Sequence, residues 1–100
     1  MEIYGALKDP KRREILETLM TGTQDVSSIM TSVQLSQSAT SQHLKKLQSA
    51  GLVEKERSGK HIMYTVRFEP LDEVVTWIQS LRKFWEQRLD RLDDYLGEKN

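Results

Sequence analysis

One hundred residues, 37% of them hydrophobic and 30% charged, suit one compact domain, and so short a chain buries a modest share of its surface unaided, which makes a partner subunit worth seeking. The chain has no cysteine, so disulfides, thiolate metal sites and cysteine redox sensing are excluded. The formal net charge of zero argues against indiscriminate attraction to nucleic acid.

No apolar run approaches the roughly 18 residues of a membrane span, and the opening MEIYGALKDP has neither the basic nor the apolar region of a signal peptide, so the cytoplasm is the expected location. The neutral total conceals a segregation. Residues 36–68 hold six basic and two acidic side chains, against four and five before them and five and eight after them.

The stretch EIYGALK can form a short opening helix through Ile3, Tyr4 and Leu7, which Gly5 weakens. Asp9 and Pro10 then read as a helix start: a capping carboxylate, followed by a proline at the first helical position, where its missing N–H costs nothing. In KRREILETLM the period puts Ile15, Leu16, Leu19 and Met20 on an inward face and Lys11, Arg12, Arg13 and Glu17 on the outward one. Gly22 stops this helix. Asp25 caps a short one whose apolar stripe is Val26, Ile29, Met30 and Val33.

Ser36 caps the next helix, predicted over about residues 36–50. Thr40, Leu44 and Leu47 fall at i, i+4 and i+7 and point inward, and Gly51 supplies a left-handed stop. The opposite face carries Gln37, Ser38, Ser41, Gln42 and Lys45, small and polar side chains that end in a cation.

Past Gly51 the pattern alternates over about residues 52–67, with Val53, Ile62, Tyr64 and Val66 as inward positions and Ser58–Gly59 as the turn of a hairpin. The helical period returns from Pro70 to about residue 96 through Leu71, Val74, Val75, Ile78, Leu81, Trp85, Leu89, Leu92 and Leu96. At 1.5 Å per residue such a helix runs about 39 Å, longer than this domain needs to cover its own core, so the excess is expected to pack on a second copy.

These elements make a mainly α fold with a small β-hairpin: a winged helix-turn-helix over residues 1–100, with a long C-terminal dimerisation helix. In that arrangement the second helix of the pair enters the DNA major groove. Gln37, Ser38, Ser41 and Gln42 are then the candidates for contact with base edges, because an amide can pair with adenine at two points and a hydroxyl can meet either a base or a phosphate. Lys45, with Lys46 and Lys55, and Arg57 and Lys60 beside the hairpin turn, are candidates for the phosphate backbone or an adjacent minor groove.

The stretches LKDPKRREILETLM, LSQSATSQHLKKLQSAGLVEKERSGKHIMYTV and FWEQRLDRLDDYL together resemble the ArsR-type winged-helix repressors of bacteria and archaea over nearly the whole chain. The resemblance implies that the polar helix is the recognition helix, that the hairpin is the wing, and that the first and last helices build a homodimer. It implies operator contact by Gln37, Ser38, Ser41 and Gln42. Gln34 stands where such repressors often carry glycine, and Ser38 and Thr40 where they often carry proline or an apolar residue. The ending FWEQRLDRLDDYL is similar to the metal-independent branch of the family.

That branch agrees with the ligand types present. With no cysteine, and with His43 and His61 both outside residues 69–100, Asp90, Asp93 and Asp94 alone are a thin set for a transition metal; they read as a solvated face paired with Arg88 and Arg91. No metal and no cofactor are expected. His43 reads as a structural hydrogen-bonding residue, and secondarily as a DNA contact. Trp77, Phe84 and Trp85 suit a dimer seam better than an effector pocket, and whether an effector exists is left open.

A winged helix that binds protein is the rival reading. Strong salt dependence would favour DNA over it. Catalysis is not expected, since the chain has no glycine-rich phosphate loop, no cysteine nucleophile and no evident grouping of His, Ser and acid.

Overall fold

The protein is described by a computed structural model over residues 2–97. Among these residues the elements run α1 (Ile3–Leu7), α2 (Pro10–Met20), β1 (Gln24–Asp25), α3 (Val26–Val33), α4 (Gln37–Ser49), β2 (Val53–Ser58), β3 (His61–Val66) and α5 (Leu71–Gly97).

Each of the first four helices starts on a side chain that accepts from otherwise orphaned backbone N–H groups. Glu2 accepts from Tyr4 and Gly5 at the head of α1. Asp9 accepts from the N–H of Lys11 at 2.8 Å and of Arg12 at 3.3 Å, with Pro10 in the first turn of α2. Partial desolvation pushes the Asp9 carboxyl up, but the N–H groups of Arg12 and Lys11, helped by the nearby positive charge, outweigh it and hold the group below the usual aspartate value. Asp25 accepts from Ser28 N at 2.9 Å, and Ser36 Oγ from Ala39 N at 3.1 Å.

The other ends of α1 and α3 are closed from outside, by three consecutive cations of α2. Lys11 Nζ donates to Val33 O (3.0 Å), Arg12 Nε to Ala6 O (2.8 Å), and Arg13 Nη1 to Leu7 O (2.7 Å) and Lys8 O (3.0 Å). Last-turn carbonyls carry the negative end of the helix dipole, so a cation is the favoured partner there.

Arg12 is thus not on an outward face, as the KRR run had implied: it is 4% exposed. It lies at i relative to Ile15, Leu16 and Leu19 at i+3, i+4 and i+7, on the stripe that packs inward. Its donors are met, which is what makes a buried guanidinium tolerable. Met20 departs from the expectation in the opposite sense. It is the last residue of α2 and stands 54% exposed, past the edge of the core.

The core joins α1, α2, α3, α4 and the base of the hairpin, with Ile15, Ile29, Leu44, Leu47 and Leu52 completely enclosed. The hairpin is part of a three-stranded antiparallel sheet of order β1-β3-β2. The two-residue β1 sets Gln24 opposite Tyr64 and Asp25 opposite Met63. Val53 and Tyr64 are buried at the base of the hairpin, Val66 is half-buried, and Ile62 is 41% exposed rather than inward. The reason is register: Ile62 sits opposite Arg57, next to the turn and beyond the end of β1, at the margin of the core.

Helix α5 touches the rest of the molecule only at its start. Leu71 and Val74 are half-buried against the core, and Trp77 meets Tyr4 of α1 edge to face, ring centroids 5.7 Å apart. From Val75 to Leu96 every side chain is exposed. The radius of gyration is 19.3 Å, against about 13 Å for a compact domain of this length, and the molecule measures 69 × 24 × 22 Å because α5 projects from it.

Candidate nucleic-acid interface

The pair α3 and α4 is joined through Gln34, whose backbone is left-handed at φ 55° and ψ 52° and whose N–H donates to Met30 O. Leu35 N follows with a bond to the same carbonyl at 3.4 Å, so α3 is closed tightly and the chain reverses within three residues. Glutamine adopts this conformation less readily than glycine, at a cost on the order of 1 kcal/mol. Ser36 then opens α4, and at its far end Gly51 (φ 77°) donates to Gln48 O while Leu52 N reaches back to Leu47 O, the double closure that a left-handed residue permits.

Between these ends α4 has two unlike sides. Thr40, Leu44 and Leu47 are buried to 1% exposure or less. Gln37, Ser38, Ser41, Gln42 and Lys45 are all exposed, at spacings of one, three and four that gather them on the opposite side, with Lys46 on the adjoining edge. Among the described residues the side chains of these five are engaged in no hydrogen bond or ion pair. The first backbone N–H groups of α4 and a cluster of donors and acceptors therefore face outward together, a surface suited to phosphates at its rim and base edges at its centre.

The wing lies on a separate element. Its turn residues are Gly59 (φ 63°) and Lys60, one place later than the Ser58–Gly59 turn read from the sequence, because Ser58 pairs with His61 as the last rung of the ladder. Lys60 consequently stands in the turn itself, and Arg57 lies on β2 across from Ile62; both are exposed, as is Lys55. So the structure gathers five of the seven sequence-predicted contacts on α4 and sets Arg57 and Lys60 apart on the hairpin tip.

The wing is tied at two points to the segment that leads into α3. Thr23 and Thr65 share a hydroxyl hydrogen bond of 2.9 Å, and His61 Nδ1 lies 3.7 Å from Asp25 Oδ2. Asp25 also caps α3; its carboxyl is held below the ordinary aspartate range mainly by the backbone N–H and hydroxyl of Ser28, with His61 adding to the effect.

His43 is the second histidine, and its Nδ1 is 3.3 Å from Nη1 of the buried Arg12. A guanidinium only donates, so Nδ1 is the acceptor in this contact. This link between α2 and α4 was not read from the sequence. The i, i+3, i+4, i+7 stripe of Arg12, Ile15, Leu16 and Leu19 was the signal that could have shown the arginine to face inward. No group of three or more His, Asp or Glu side chains stands together as a metal-ligand set among the described residues.

Residues 9–55 match the model of the family described as "Bacterial regulatory protein, arsR family". Over 81 residues the chain is 30% identical to the HTH-type transcriptional regulator YgaV of Escherichia coli, covering 79% of this chain and 81% of that protein. It is 29% identical to the transcriptional repressor SdpR of Bacillus subtilis over 76% of this chain and 84% of that one. The fold superposes on an ArsR-like transcriptional regulator from Rhodococcus sp. RHA1 with a TM-score of 0.72 at 32% identity, covering 91% of this chain and 86% of that one.

Proposed function

Since the chain belongs to the arsR family of DNA-binding transcriptional regulators, we propose that it acts as a homodimeric repressor whose two α4 helices read an inverted-repeat operator in double-stranded DNA. The observation that carries this reading is the uncommitted polar side of α4, held outward by the burial of Thr40, Leu44 and Leu47. In this reading Gln37, Ser38, Ser41 and Gln42 meet base edges, the amides pairing with adenine at two points. Lys45 with Arg57 and Lys60 of the wing neutralises phosphate, supplying affinity that falls steeply with salt.

The exposed stripe of α5 supports the dimer of this proposal. Val75, Ile78, Leu81, Trp85, Leu89, Leu92 and Leu96 are each 43–60% exposed along a helix that its own domain does not cover. A second copy related by a two-fold axis buries them against their own equivalents and sets two recognition helices in opposite orientations.

Control by a thiolate metal site is outside this chain's chemistry, since it has no cysteine; His43 is engaged by Arg12 and His61 stands beside Asp25. The repressor of this proposal is accordingly independent of transition metals, with DNA and its own second copy as partners. No helix of the described residues is long and apolar enough to cross a membrane; acting on DNA, the repressor of this proposal would work in the cytoplasm.

Selection of bound sequences from a random duplex library tests the reading directly. The expected product is an inverted repeat with half-sites about one helical turn, near 10 base pairs, apart. A single asymmetric half-site would overturn the dimer, and no enrichment at all would overturn the DNA reading. Mapping bound sites across the native genome then supplies operator and regulated genes together.

A further inference from the structure

Burial of Thr40, Leu44 and Leu47 turns the polar side of α4 outward, but apolar packing is non-directional and fixes the rotation only coarsely. A hydrogen bond is directional. The one directional side-chain contact that α4 makes with another element among the described residues is His43 Nδ1 to Arg12 Nη1, 3.3 Å, on the flank between its buried and its polar sides. Arg12 is itself immobilised: Nε donates to Ala6 O at 2.8 Å, Nη2 to Gly5 O at 3.2 Å, Nη1 lies 3.9 Å from Asp9 Oδ2, and the residue is 4% exposed.

We infer that Arg12 and His43 are positioning residues for sequence readout: the bond between them sets the rotation of α4 about its own axis and so aims Gln37, Ser41 and Gln42. Neither needs to touch a base to do this. Arg12 also rests on the carbonyls of α1, whose Tyr4 meets Trp77 of α5. The aim of the recognition helix is therefore referred, through one buried side chain, to the same α1 and α5 surfaces that the proposed dimer joins. A side chain displaced by half an ångström or a helix turned by 10–20° is enough to weaken two-point hydrogen bonding, whereas attraction to phosphate tolerates such a change.

This inference rests on the DNA reading proposed above, and the two fail differently. The test compares His43→Asn, whose carbonyl oxygen stands where Nδ1 does and can still accept from Arg12, with His43→Gln, whose carbonyl lies one carbon further out. Affinity for the selected operator and for unrelated duplex DNA is measured over a range of salt, well below the melting temperature of each variant. His43→Asn is expected to discriminate within about twofold of the parent, and His43→Gln to lose about five- to tenfold in discrimination with its affinity for unrelated DNA and its salt slope unchanged.

Equal discrimination by both variants and the parent, or a parallel loss on operator and unrelated DNA, overturns the positioning role while the DNA reading stands. A parent chain that prefers no sequence overturns that reading and this inference with it. Long-range nitrogen NMR of the parent adds a check that needs no variant: the bond requires an unprotonated Nδ1 on His43, and a protonated Nδ1 would exclude it.

Discussion

Helices α4 and α5 are both amphipathic, and their apolar sides meet opposite fates. In α4 the apolar side is consumed within the chain: Thr40, Leu44 and Leu47 are enclosed by α2, α3 and the hairpin base, and the polar side is free. In α5 only Leu71 and Val74 find the core, and the apolar side from Val75 onward is free. A free polar face recognises by direction and pattern, whereas a free apolar face associates by area removed from water. On the proposed reading the two helices take different partners, DNA for the first and a second copy for the second.

The sharpest way to break this contrast is to put a charge into the α5 stripe. Leu81→Glu should raise the dimer dissociation constant by about a hundredfold or more, roughly 3 kcal/mol, because a carboxylate cannot be buried unpaired. Sedimentation equilibrium should show monomer, and operator affinity should fall with it. A dimer of unchanged strength would assign the face to something else.

The seat of α4 is tested next. Arg12→Met leaves the carbonyls of Ala6 and Gly5 and the His43 acceptor without their donor, and should cost about 2–4 kcal/mol in urea unfolding. Ser41→Ala and Gln42→Ala address the free side instead. Each should lose about 1–3 kcal/mol of discrimination between operator and scrambled DNA with melting temperature unchanged.

A smaller and opposite effect is expected on the buried side. Thr40 Oγ1 is enclosed with no hydrogen-bond partner. Thr40→Val keeps the shape and removes the unsatisfied hydroxyl, so it should stabilise the fold by about 1 kcal/mol, read by urea unfolding, while leaving DNA discrimination intact.

The smallest expected effect is with pH. Asp9 and Asp25 both have folded values below their unfolded ones. Their contribution is complete above the ordinary aspartate value and is lost as pH falls through the lower, folded one. Asp25→Asn should therefore flatten the acid limb of the stability profile slightly, and an unchanged limb would remove Asp25 from that account.

Much of the site was legible without coordinates, for local reasons. Ser36, Gly51 and the i, i+4, i+7 placement of Thr40, Leu44 and Leu47 depend on neighbours within a turn or two, so α4 and its polar side could be read from spacing alone. Caps at Asp9 and Asp25 are equally local. Where the outcome depended on something distant, spacing was a poor guide. Strand β1 is two residues long and exists because β3 lies beside it, so it has no signal of its own. Ile62 obeys the alternation and is still exposed, because alternation reports a side of the strand and not whether anything covers it.

From its residues alone, then, this protein's helices and hairpin, the caps at Asp9, Asp25 and Ser36 and the chemistry of the α4 surface were determined, since helix periodicity and capping act over a few residues. Only the tertiary structure decided that the cations Lys11, Arg12 and Arg13 turn to backbone carbonyls while Lys45, Arg57 and Lys60 remain at the surface. The physical reason is that a cation's role depends on whether an orphaned carbonyl or open solvent lies within reach, and that is set by which helix ends the fold brings together.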